Sequence, residues 1–459
     1  MSVKLRLIVM SFLQFFVWGA WLITIANYWF GSKDWGGTEF GAIFSTMGIA
    51  SLFMPTIIGI IADKWINAEK LYSILHTLYA LALIYLAQVD DPGLFFTIIL
   101  LSMCCYMPTL ALSNSIAYTA LHQAGHDLIK SFPPIRVWGT VGFIVAMWIT
   151  NLSGNKATEG QFYIAATGSL ILAIYSLFKL PACPPQRQTD KKAGLIQIMG
   201  VEAFKLFGNL KMALFFVFSV FLGAALQLTN AYGDVFLDEF RFYPKYADSF
   251  VVQYSTIIMS ISQISETLFI LAIPFFLKKF GIKQVMLIAM FAWVLRFGLF
   301  AYGNPSSAGL WMIILSCIVY GMAFDFFNIS GSLFVETNTD NKIRSSAQGL
   351  FMMMTNGVGA VLGSSISGWM IDRYFTLTFT DSEALATYLD TSIDNSTFLQ
   401  FLSSRGIQQF EDGLLSQVVR LKYWHHIWLT FALYTLIVAV LFALFFRHKH
   451  KPSVLMEKL

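Results

Sequence analysis

Charge is scarce in this chain. Asp, Glu, Lys and Arg make up 12% of its 459 residues, against roughly 25% in a soluble domain. With 57% hydrophobic residues and a mean hydropathy of +0.65, that shortage excludes a soluble enzyme and points to a polytopic membrane protein. Cysteine is nearly absent too. Cys104, Cys105, Cys183 and Cys317 have neither metal-ligand spacing nor the look of a disulfide framework. Cys104 and Cys105 sit within an apolar run and read as packing residues. His122 and His126 share a loop that offers no third ligand, so neither a metal nor a cofactor is expected. An intramembrane enzyme needs a nucleophile–base pair or metal ligands at depth, and no Ser/His pair or His cluster stands there. The first apolar run is long enough to span a bilayer and lacks a small-residue cleavage site, so it does not read as a signal peptide.

What the chain does have is long apolar runs. Spans of about 20 residues are read at 5–29, 39–62, 70–88, 94–118, 136–152, 160–180, 211–236, 250–277, 283–302, 309–335, 346–371 and 423–446. Most of the 30 Lys and Arg residues fall in alternate loops, which places both termini in the cytoplasm. The stretch 181–210 reads as a cytoplasmic linker between a six-helix bundle over 1–180 and a second over 211–459. Part of it, 195–210, suits a short amphipathic helix on the membrane surface. A weak internal echo supports the division. PTIIGIIADK (55–64) closes the second span and PFFLKKFGIK (274–283) the eighth, while Pro134-Ile135-Arg136 opens the fifth and Lys342-Ile343-Arg344 the eleventh. Two related halves are the pattern of a transporter. The eleventh span is rich in Gly and Ser, a composition for tight helix packing and bending. The stretch 376–422, rich in Ser, Thr, Asp and Glu, reads as a long solvated outer loop with some helix.

A few polar residues break the apolar spans. Asp325 is the only charge in 309–335. A charged Asp near a helix centre costs about 2.5–3.5 kcal/mol on insertion scales, so Asp325 is neutral, paired, or beside a watery cavity. Tyr320, Phe324 and Asn328 lie near it on the helix. Gln263 and Glu266 are three apart, hence on one face of the eighth span. Arg136, Thr140 and Phe143 share a face of the fifth. Gln227 and Asn230 stand in the seventh, and Asp234 after them reads as a helix-end residue near the outer surface. Plainer readings exist for each. Asp325 serves equally as an interhelical structural pair, the glutamines as interhelical glue, and the phenylalanines as packing. Arg136, near a helix end, has the length to snorkel.

Several of these segments resemble a known family. Gly59-Ile60-Ile61-Ala62-Asp63-Lys64 is similar to the loop motif between helices two and three of the major facilitator superfamily, without the usual basic cluster over 65–70. FLQFFVWGAW (12–21), FPPIRVWGTVGF (132–143), IIMSISQISETLFI (257–270), FDFFNISGS (324–332) and SAQGLFMMMTNG (346–357) look like the bacterial nucleoside:proton symporters of that superfamily. The likeness runs from Leu5 to about Ile371 and through the last span; the long outer loop departs from it.

The resemblance implies an all-α major facilitator fold with twelve transmembrane helices in two six-helix halves. It implies proton-coupled import of a nucleoside of the uridine or adenosine class by alternating access, in the bacterial inner membrane, by a working monomer with no nucleic-acid partner. The implied substrate-binding residues are Arg136, Thr140, Phe143, Gln227, Asn230, Gln263, Glu266, Tyr320, Phe324 and Asp325. Asp325 and Glu266 are the implied proton-coupling groups and Asp63 a gating residue. The chemistry suits a nucleoside. Amides and a carboxylate meet ribose hydroxyls, and Phe143 and Phe324 offer faces to a base. Transport of another small polar solute, such as a sugar, is the alternative.

Overall fold

The computed structural model describes residues 2–126, 128–185, 201–339, 344–389 and 395–447, and for some helical residues among these the backbone alone. Helices dominate: α1 (Val3–Gly19), α2 (Gly37–Lys64), α3 (Ala68–Leu86), α4 (Pro92–Gln123), α5 (Leu128–Leu152), α6 (Gly160–Lys179), α7 (Leu210–Asp238), α8 (Ser255–Tyr302), α9 (Ser307–Asn338), α10 (Arg344–Met352) and α11 (Ala360–Tyr374). Their starts are written in the sequence. The side chains of Ser2, Asp91, Asn209 and Ser306 each accept a bond from a free backbone N–H of the first turn. Pro92 follows Asp91 where its missing N–H costs nothing. Among the described residues nine helical stretches are long and apolar enough to cross a membrane.

Two departures from the expected spans have local causes. The first helix ends at Gly19, ten residues short of the expected limit, and the chain re-coils as a π-helix over Asn27–Ser32. In between, the Thr24 hydroxyl reaches the Ala20 and Trp21 carbonyls, an alternative to the helical bond. α8 runs through the loop expected between the eighth and ninth spans, but Gly281 breaks it with φ 77° and ψ 169°. That backbone geometry is open to glycine and strained for other residues.

Glycine also sets how closely helices approach. A Cβ added at Gly142 would lie 2.1 Å from the Phe12 carbonyl oxygen, joining α5 to α1. One at Gly41 would lie 2.3 Å from the Ser364 oxygen, joining α2 to α11. The Gly-rich eleventh span changes helix type along its length. Met353–Gly359 is π-helical between α10 and α11, and Gly223 of α7 packs directly on its Thr355 backbone.

The stretch expected as a solvated outer loop carries two strands and two short helices among its described residues. Thr376–Asp381 (β1) pairs antiparallel with Leu414–Lys422 (β2), with an irregularity between Phe379 and Asp381. Ser382–Tyr388 (α12) and Asn395–Ser404 (α13) lie between the strands. Leu385, Leu389, Phe398, Leu402, Val419 and Leu421 form a small core of their own, against which Phe242 and Tyr243 pack. The polar composition of this stretch hid pairs at i, i+4 that build a buried face. The last helix, α14 (Trp424–Phe445), follows at once. Of the expected linker, 186–200 lies outside the described residues; Val201–Gly208 is a 3₁₀ helix.

Candidate functional site

Helices from both parts of the chain surround a cavity of about 370 Å³. α5 brings Arg136, Thr140 and Phe143 to it, and α7 brings Gln227 and Asn230. α8 adds Gln263 and Glu266, and α9 adds Tyr320 and Phe324. Every residue expected in the site therefore lines one space, except Asp325. That carboxyl stands behind the wall, 5% exposed, within electrostatic reach of Glu266 and Arg136. The side chain of Asp63 lies outside the described residues.

The structure adds residues that sequence reasoning passed over: Phe15 and Trp18 on α1, Asn114 on α4, and Asn356 in the π-helical stretch. Asn114 and Asn356 are amides in apolar spans, the same signal that singled out Gln227, and were open to the same reasoning. Nothing marks Trp18 among 12 tryptophans.

The walls are aromatic and the edges polar. The Arg136 guanidinium lies 3.9 Å from the centre of the Phe15 ring, so its charge is held over a π face rather than snorkelling to a surface. Trp18 meets Phe143 edge-on, with ring centres 6.4 Å apart. Tyr320 and Phe324 stack at 6.0 Å with planes 10° apart. Within these walls several buried polar atoms have no partner among the described residues. They are the Gln227 and Gln263 side-chain oxygens and the Trp18 indole N–H, with one Asp325 oxygen behind them. A buried polar atom without a partner is costly, and such atoms around a cavity are what a polar ligand satisfies.

One end of the cavity is sealed by bonds between the two parts of the chain. Trp148 Nε1 donates to Ser260 Oγ at 2.9 Å, and Lys156 Nζ reaches Asp238 Oδ1 at 2.6 Å and the Val252 carbonyl at 2.7 Å. Thr38 donates to Asp372 at 3.1 Å, and Arg420 of β2 to the Asp34 carbonyl at 2.8 Å. Asp234 belongs to this seal. It lies near a helix end, as its position suggested, and is 1% exposed. The Asn27 amide donates to its carboxylate, as does Thr256 at 3.1 Å. The reason is tertiary: the π-helix after α1 folds back over the end of α7. Phe143, Gln227 and Gln263 lie one to two turns from Trp148, Asp234 and Ser260 along their helices, on the side away from the seal.

Comparison with known proteins gives this geometry a family. The sequence profile of the nucleoside H+ symporter family matches residues 1–451. This chain belongs to the nucleoside:proton symporter family. It is 48% identical to the xanthosine permease of Escherichia coli strain K12, over 99% of this chain and 98% of that one. It is 46% identical to the nucleoside permease NupG of the same strain, over 98% and 97%. A crystal structure of the nucleoside transporter NupG superposes with a TM-score of 0.82 at 45% identity, covering 98% of this chain and all of that one. The fold is thus that of the major facilitator superfamily, and the chain is a multi-pass membrane transporter rather than an enzyme. The family's membership also accounts for a central cavity between two sets of helices, since alternating access needs a site that each side of the membrane reaches in turn.

Proposed function

We propose that this protein imports nucleosides together with protons, by alternating access, across the bacterial inner membrane. The observation that carries the reading is the cavity itself. Its aromatic walls offer flat faces to a base, and its amides and Glu266 suit ribose hydroxyls. Such a site rejects solutes that leave its polar groups unpaired. Arg136 near Glu266 and Asp325 supplies a cation that competes with a proton for the carboxylates. Asp325 and Glu266 are the proton-coupling candidates and Asp63 the gating one. Asp325 acts from behind the wall, through Glu266, in the conformation described.

The topology belongs to the same proposal. α1 and α3 join the long apolar helices, and Gly281 divides α8 into two crossings, which brings the number of spans to twelve with both termini cytoplasmic. Residues 1–180 and 211–459 are then the two moving halves of a working monomer. Lys and Arg placement supports the sealed end as the outer one, so the conformation is inward-facing. A neutral nucleoside entering with one proton moves one positive charge inward. At about 2.3 kcal/mol per 100 mV this sustains roughly fifty-fold accumulation.

The test is uptake of labelled uridine and adenosine into proteoliposomes. An imposed inward proton gradient is expected to drive accumulation above the outside concentration. Unlabelled nucleoside is expected to block it, and hexoses are not. Uptake that ignores the gradient, or that glucose or sucrose blocks, overturns the reading.

A further inference from the structure

Arg296 is the only charge in 284–302, and it is completely buried. No ion pair reaches it among the described residues. A buried guanidinium without a counter-ion is costly and calls for a role. Its contacts define one. Nε bonds the Thr229 hydroxyl at 3.3 Å, and Nη1 bonds Ser262 Oγ at 3.4 Å and the Ser316 carbonyl at 2.8 Å. Ser316 returns a bond from its hydroxyl to the Arg296 carbonyl at 2.9 Å. The guanidinium plane also lies 4.6 Å from the centre of the Tyr320 ring.

Each of these partners is next to a cavity residue. Thr229 stands between Gln227 and Asn230, and directly precedes Asn230. Ser262 directly precedes Gln263. Ser316 is one turn before Tyr320, and Tyr320 itself lines the cavity. One side chain therefore joins α7, the first part of α8, and α9 behind the cavity. Tyr320 has Arg296 on one side and the carboxyls of Glu266 and Asp325 within electrostatic reach. Trp293, one turn earlier on the same helix, meets Tyr320 edge-on at 5.9 Å and 90°. A planar fork with several donors suits such a three-helix junction; an ammonium on a flexible stem does not.

We propose that Arg296 is a positioning residue for nucleoside binding. It holds Tyr320 against the cavity by a cation–π contact, and its bonds to Thr229, Ser262 and Ser316 hold the guanidinium in place to do so. The proposal rests on the cavity being the nucleoside site. Arg296 touches no substrate and carries no proton in this account.

The test uses the purified full chain, with uridine affinity measured by calorimetry and uptake measured in proteoliposomes. Arg296→Met is expected to weaken uridine binding roughly tenfold and to raise KM while leaving the maximal rate near that of the parent. Tyr320→Leu is expected to weaken binding too. Adding Arg296→Met to Tyr320→Leu is expected to cost less than a further threefold, because the two act through one contact. A full tenfold loss again in the double variant means that Arg296 does not act through Tyr320, and overturns the proposal. So does parental affinity in Arg296→Met. If Arg296→Met does not fold, Arg296→Lys and Thr229→Val take its place. A threefold or greater loss in both, at unchanged melting temperature, supports the role, and parental affinity in both refutes it. A parent that binds neither uridine nor adenosine refutes the functional reading, and this inference with it; a parent that binds while the variants match it refutes this inference alone.

Discussion

A buried cluster around Gln14 and the central cavity both contain polar side chains, yet they treat them in opposite ways. Among α1, α3, α4 and α6 every polar atom of one cluster is matched. Gln14 donates to Thr109 at 2.8 Å and accepts from the Tyr72 hydroxyl; its oxygen also lies 3.0 Å from His76 Nε2. His76 Nδ1 lies 2.9 Å from the Ser169 hydroxyl, and Tyr106 donates to the Gln14 carbonyl at 2.7 Å. At the cavity wall, the Gln227 and Gln263 oxygens and the Trp18 N–H, with one Asp325 oxygen behind them, have no bonding partner among the described residues. Gln14, Gln227 and Gln263 are the same residue type in equally apolar spans. What separates glue from site is whether the neighbours complete the bonding, because in a dry interior a completed network rigidifies and an incomplete one waits for a partner.

The comparison breaks most sharply at Asp325. Asp325→Asn mimics the protonated state permanently, so it is expected to abolish gradient-driven uridine accumulation in proteoliposomes, whether or not slow exchange continues. Parental accumulation with matching proton influx moves the coupling to Glu266. Glu266→Gln comes next. A charge-assisted bond to a ribose hydroxyl is worth about 1.5–3 kcal/mol, so calorimetry is expected to show uridine affinity lower by roughly ten- to a hundredfold. Unchanged affinity removes Glu266 from the site.

The smallest effects sharpen the contrast between the glutamines. Gln14→Ala strands the Tyr72 hydroxyl and His76 Nε2, at about 1–3 kcal/mol for each buried group left unpaired. It is expected to lower the melting temperature by several degrees and leave uridine affinity within about twofold. Gln227→Ala removes an oxygen that has no partner among the described residues. It is expected to weaken binding a few-fold and leave the melting temperature unchanged. If Gln14→Ala weakens binding as much as Gln227→Ala does, the division into glue and site is wrong.

Much of the site was legible before any fold was known. Arg136, Gln227, Gln263 and Glu266 stand out because a polar group in an apolar span is expensive, and the expense is a property of residue type and position. Phe143, Tyr320 and Phe324 were picked by their spacing from those groups and by resemblance, since an aromatic in an apolar span carries no such mark. Arg296 carried the same mark as Arg136 and was passed over, because nothing in its own helix said what it would reach. Asp234 was visible as a helix-end anomaly, but its burial was not: only the π-helix after α1, packed over the end of α7, covers it.

By itself the sequence determined that the chain lives in a membrane, roughly where its apolar spans lie, and which side chains are too polar for their surroundings. These follow from hydropathy and desolvation, which act within a helix or between a residue and its solvent. The tertiary structure alone decided that Arg136 lies on Phe15, that Asp325 stands behind the cavity wall rather than in it, and that Gln14 is satisfied while Gln227 is not. It also decided that 376–422 folds around its own small core. Each of these depends on partners far apart in the chain, and hydrogen bonds and packing are short-ranged, so only the arrangement of the helices settles which groups meet.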